Sequence, residues 1–241
     1  MSKTTLWILI LSLALTPAAL AATDAEKCQN KKLIALGKRA LCYEKERGKK
    51  VLGKTPDTAK CEEKFDKQIL AADKAAGCRW LVNGDGTATD LNTGLQWEMK
   101  TSEPPTPSSI HAAAHMFSWT DWQFPFPDGD AFHFLLGTLN WGESSHGATT
   151  TGCFAGKCDW RLPTIEELAE LVDTRVPGCG IGSPCTSIPG ETEPARYFSS
   201  TTDASTPNDV WLVDFADGSV AVFNGTSKAS ARHVRAVRGG L

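Results

Sequence analysis

The chain has 241 residues and a formal net charge of −3, which is length enough for one or two domains. No run after the first twenty or so residues approaches the ~18 apolar positions of a membrane-spanning helix, so a later transmembrane segment is excluded. The near-neutral total conceals an asymmetry: residues 22–80 carry 15 Lys and Arg against 9 Asp and Glu, whereas residues 81–241 carry 9 against 19.

Lys3, the apolar run 6–15 and Ala19-Leu20-Ala21 read as a secretory signal peptide over residues 1–21. No cysteine stands at the cleavage site, so a lipid anchor is not expected and the protein should be secreted or periplasmic. Eight cysteines fit that address, since an even count in an exported chain reads as disulfides. Zinc is the weaker reading, because the closest spacings leave four and five residues between cysteines rather than two.

Residues 25–77 read as a helical hairpin, with a loop at 48–56 and a second helix capped near Asp57 or Thr58. Cys28 and Cys42 on one helix would stand ~21 Å apart, and a disulfide needs Cα atoms within ~7 Å. The same holds for Cys61 and Cys78. Folding the helices back on each other pairs Cys28 with Cys78 and Cys42 with Cys61. The basic surface could serve anionic polymers or a membrane surface, form a solvated face, or dock on the acidic part that follows.

From Arg79 the pattern changes to short strands, at 79–82, 87–91 and 95–99, separated by the turn signals Asn83-Gly84-Asp85-Gly86 and Asn92-Thr93-Gly94. The acids Asp85 and Asp90 lack the spacing of a calcium loop and read as a β-turn. His111 and His115 stand four apart, the spacing of a zinc pair on one helix face, but no glutamate base lies between them and no third ligand is patterned. No metal or cofactor is therefore expected. An aromatic run holding Trp119 and Trp122, a short amphipathic helix at 128–140 and a polar loop at 141–152 follow.

Thr164 with Glu167 forms a capping box, and Ile165, Leu168, Leu171 and Val172 recur at helical spacing behind it. After an irregular stretch at 177–189, strands are expected at 197–202, 210–215, 219–223 and 232–238. Strands at both ends with helices between them suggest an α+β domain whose termini meet in one sheet.

These landmarks, taken in order, resemble one family. They are Asn83-Gly84-Asp85-Gly86-Thr87 with Thr93-Gly94-Leu95-Gln96-Trp97, then Phe154-Ala155-Gly156 with Asp159-Trp160-Arg161-Leu162-Pro163-Thr164. Tyr197-Phe198-Ser199-Ser200-Thr201-Thr202, Val213-Asp214-Phe215 with Asp217-Gly218, and Val234-Arg235-Ala236-Val237-Arg238 complete the set. The order is similar to the C-terminal domain of the bacterial collagen-like adhesin Lcl. The resemblance implies a C-type-lectin-like α+β domain at 80–241, placed after the four-cysteine hairpin already read at 22–79. Cysteines flanking the Phe-Ala-Gly segment imply a Cys153–Cys158 bridge, with Cys179–Cys185 closing a second loop. It also implies an adhesin-like binding module, although residues 22–79 hold no collagen-like repeat and the acidic balance beyond them opposes a polyanion. Asp159 to Thr164 also resembles the lectin-like fold of formylglycine-generating enzymes, but no cysteine follows Cys185 and that chemistry is not carried over.

The expected function is an exported, non-enzymatic binding module for a polysaccharide or a cell-surface protein, without a nucleic-acid partner. Trp119, Trp122 and Trp141 are candidates to stack on a sugar or anchor a partner, or to fill a core. Lys228, Arg232, Arg235 and Arg238 are candidates for an anion patch, with half of them facing inward if they lie on a strand. A structural envelope protein is the alternative, and an enzyme is a weaker one because no nucleophile elbow, zinc helix or phosphate loop occurs.

Overall fold

The computed structural model describes residues 24–73, 78–106, 108–121, 126–142, 152–222, 228 and 230–239. The expected leader, Trp122, most of the 141–152 loop and the end of the 219–223 strand lie outside them.

Helices α1 (Asp24–Val51) and α2 (Ala59–Asp73) fold back on each other. Cys61, Phe65, Ile69 and Ala72 of α2 are buried at spacings of three and four, so one face of the helix turns inward. Asp57 Oδ1 accepts from the Lys60 N–H in the first turn of α2. The Cys28–Cys78 and Cys42–Cys61 bridges have Cα atoms 6.0 and 5.8 Å apart, and the expected pairing is the one found. A pair this small has little core of its own, and two bridges hold it closed.

One flank of α1 rests on the chain that follows. Gln29 Nε2 donates to the Trp80 carbonyl at 3.1 Å, Lys32 Nζ to Asn92 Oδ1 at 2.6 Å and Arg39 Nη1 to the Thr93 carbonyl at 2.9 Å. These three bonds end on neutral acceptors, two of them in the 92–94 turn.

Strands β1 (Trp80–Val82), β2 (Thr87–Asp90) and β3 (Gln96–Glu98) form an antiparallel meander that ends on β9 (Val237–Arg238). The first strands and the last thus share a sheet, as expected. A second sheet has the order β4 (Met116–Phe117), β8 (Arg232–His233), β5 (Arg196–Thr202), β6 (Val210–Asp214), β7 (Ser219–Ala221). Its central strands are buried on both faces. Phe198 and Leu212 join a core with Trp119, Leu135, Leu139 and Trp160, while Tyr197, Val213 and Phe215 face Trp97, Ile165 and Leu168. A π-helical segment (Ala131–Leu136) running into α3 (Gly137–Trp141) covers the first face, and α4 (Ile165–Ala169) covers the second.

Two expectations are corrected. Residues 232–238 do not form one strand: β8 and β9 belong to different sheets, and the buried Val234, Arg235 and Ala236 carry the chain between them. Residues 111–115 do not form a helix. Thr101 N donates to His111 O and Ala113 N to Thr101 O, which engages the backbone groups a helical ladder would need.

Candidate functional site

Of the candidate tryptophans, Trp119 is core: it is buried and its indole N–H donates to the Ser199 carbonyl. Trp141 ends α3 and is 76% exposed, while Trp122 lies outside the described residues. The four cations do not form a patch. Arg235 is interior, donating to the carbonyls of Glu98 and Glu191 and to Thr192 Oγ1, and Lys228 is buried with bonds to Thr202 Oγ1 and the Pro207 carbonyl. Arg238 pairs with Asp159, and Arg232 is half-buried. The histidines also part company. His111 Nδ1 meets Glu98 Oε1 at 2.8 Å, while the His115 ring stacks on Phe117. Among the described residues no group of three metal-ligating side chains converges.

What the fold brings together instead is a polar cleft of about 570 Å³, formed where the hairpin's closing disulfide meets the first sheet. Arg79, Trp80 and Asn92 line one wall, and Asp173, Arg175 and Ser187 line the other. Cys78 ties the first wall to α1, and the 92–94 turn is seated by Lys32 and Arg39. The second wall follows the short α4. Val172 bridges Thr186, the Asp173 N–H donates to the Cys185 carbonyl at 2.8 Å, and the Cys179–Cys185 disulfide closes the loop behind them. Gly218, in the left-handed region at φ 80°, lets the 216–219 turn press against Val172 and Thr174, where a side chain would be crowded.

The charges in the cleft are arranged in pairs. The Arg79 guanidinium lies over the Trp80 ring at 4.8 Å and holds Asp90 Oδ2 at 2.7 Å and the Glu170 carbonyl at 2.8 Å. Arg175 is held flat by Asp173, with Nε 2.9 Å from Oδ1 and Nη2 3.2 Å from Oδ2, and its side chain stays 89% exposed. The bond from Arg175 holds the Asp173 carboxyl below its ordinary range. Asn92 is engaged through its oxygen, leaving its amide N–H groups without an acceptor among the described residues. Such a set offers planar donors and acceptors without a large net charge.

One carboxyl near this wall, that of Glu170, is shifted from its ordinary range. Burial first, and then the charge of Asp90, push the Glu170 carboxyl up. Asp90, however, is shut off from solvent and bound to Arg79, so the two do not face a common substrate. The most strongly shifted acid is Glu98, which is wholly interior.

Sequence reasoning missed Asn92, Asp173, Arg175 and Ser187 as site residues. The only local signal was that Cys78-Arg79-Trp80 must sit where hairpin and strands join. A family model described as the Lcl C-terminal domain matches residues 86–238. No curated protein matches the chain, and no solved structure does. The matched span includes Asn92, Asp173, Arg175 and Ser187 but not Arg79 or Trp80, so part of one wall of the cleft comes from outside it.

Proposed function

Since the chain belongs to the Lcl C-terminal domain family, we propose that it is an exported, non-enzymatic recognition module that binds an oligosaccharide in the Arg79–Arg175 cleft. The observation that carries this is Arg175: its guanidinium is oriented by Asp173 at the cleft mouth and remains open to solvent. Rigid planar side chains in a concave, nearly neutral site suit the vicinal hydroxyls of a sugar. In this proposal residues 22–79 are the stapled hairpin and 80–241 a C-type-lectin-like domain. The sharing of one sheet by the first and last strands supports that architecture. The disulfides support a secreted or periplasmic site of action.

The burial of Asp90 and Glu98 supports binding over hydrolysis, because neither carboxylate can reach a substrate. The test is a glycan array with the mature protein at two salt concentrations. Binding that persists at the higher salt and disappears in Arg175→Ala is expected. Absence of binding at both salts would overturn the reading, and binding only to sulfated glycans at low salt would move the site away from this cleft.

A further inference from the structure

Among the described residues, the chain that follows engages only one flank of the helical pair. Gln29, Lys32 and Arg39 engage the 80 and 92–94 segments on one flank of α1. Around the helix from them, Lys31, Ile34, Lys38, Leu41 and Lys45 recur at spacings of three and four and therefore form a single stripe. All five are exposed, Ile34 by 58% and Leu41 by 73%. Two cavities of about 290 and 360 Å³ lie along this stripe, between α1 and the Lys64–Gln68 edge of α2. They share Lys38 and Gln68, so they form one trough. From Lys31 to Lys45 it runs ~21 Å, about four helical turns.

We propose that this trough is a docking site for an acidic amphipathic helix of a partner protein. Ile34 and Leu41 lie between the lysines of the stripe, which suits an apolar seam with carboxylates on either side of it. Lys31, Lys38, Lys45 and Lys64 make no ion pair among the described residues, so an incoming acid displaces no internal partner. Charge disfavours a second copy, because two such grooves would set lysine against lysine. The acidic remainder of the same chain is held on the other flank. A lipid surface calls for an apolar face standing proud of its charges, whereas this one is a concave trough between two helices.

The test is fluorescence anisotropy of the mature protein with a labelled synthetic peptide of about 18 residues, helical, with a leucine stripe and glutamates elsewhere. Controls are the scrambled peptide and its lysine-for-glutamate counterpart. Binding that weakens with salt, is specific to the acidic amphipathic peptide, and falls ~10-fold or more in Lys38→Glu/Lys45→Glu and in Leu41→Asp is expected. These positions are exposed, and an unchanged melting curve verifies that the variants fold. Equal binding of the scrambled peptide, no binding, or binding indifferent to the substitutions overturns the proposal. So does binding to phosphatidylserine vesicles, or a concentration-dependent dimer, abolished by the same substitutions. The Arg175→Ala protein should bind the peptide normally, so this result is separable from glycan recognition.

Discussion

The Lys100 ammonium lies 2.8 Å from Glu98 Oε1, and both side chains are closed off from solvent. His111 Nδ1 reaches the same oxygen at 2.8 Å, and the Ala236 N–H donates to the other at 3.0 Å. Lys100 also donates to the Ile110 carbonyl. The carboxylate therefore joins β3 to the chain between β8 and β9, where the two sheets exchange a strand. A buried pair contributes little net stability but is costly to break on one side. Glu98→Ala should destabilise by about 3–5 kcal/mol in urea unfolding, because it strands the Lys100 charge. The double variant Glu98→Gln/Lys100→Met should lose less than the single losses predict.

The same carboxylate sets an acid limb of stability. Burial alone would raise its pKa, but the Lys100 charge and the His111 bond outweigh burial and bring it down from 4.5 to about 2. Burial pushes Lys100 down in turn, against the attraction of Glu98. The N–H bonds to both Glu98 oxygens favour the charged pair. A depressed acid stabilises above its unfolded pKa and loses that contribution as pH falls through its folded one. Melting temperature should therefore drop between about pH 4.5 and 2 more steeply in the native protein than in Glu98→Gln. Parallel curves for the two would refute this.

At the start of α4, Thr164 Oγ1 accepts from the Glu167 N–H, and Glu167 Oε2 accepts from the Thr164 N–H at 2.9 Å. Glu167 also receives both terminal nitrogens of Arg161 at 2.6 Å. Removing Glu167 thus takes away a cap and a two-pronged ion pair at once. Glu167→Ala should cost about 1–2 kcal/mol, the ion pair adding little because it is part-exposed. Thr164→Ala should cost about 1 kcal/mol. Thermal unfolding of the two variants tests the order.

Gly129 approaches the backbone of residues 118–120 so closely that a Cβ would stand 2.6 Å from the Ser118 carbonyl oxygen. Backbone cannot swing aside as a side-chain tip can. Gly129→Ala should destabilise by about 1–3 kcal/mol by forcing the 128–131 entry off the Trp119 core. An unchanged melting temperature with unaltered tryptophan fluorescence would contradict the packing described.

The stapled hairpin should depend on its bridges more than the sheets do. Replacing Cys42 and Cys61 by serine is expected to lower stability by about 3 kcal/mol. The loss should appear first in the helical circular-dichroism signal, with Trp97 and Trp160 still in their cores by near-ultraviolet spectra.

Local regularity is what the amino-acid sequence determined by itself. Two helices at 3.6-residue spacing, a loop between them and the ~7 Å limit on a disulfide left one pairing for Cys28, Cys42, Cys61 and Cys78. The Asn-Gly and Asp-Gly turns marked the short strands, and the Thr164–Glu167 spacing marked the cap. Each of these depends on neighbours within a few residues. Tertiary structure decided the rest. Whether His111 and His115 share a helix face depended on Thr101 taking their backbone partners. Whether Arg235 faces solvent depended on the chain leaving one sheet for the other at that point. The cleft joins Arg79 and Asn92 to Asp173, Arg175 and Ser187, which are far apart along the chain. No periodicity links such residues, because their proximity follows from how sheets, hairpin and disulfide loop pack rather than from any local backbone repeat.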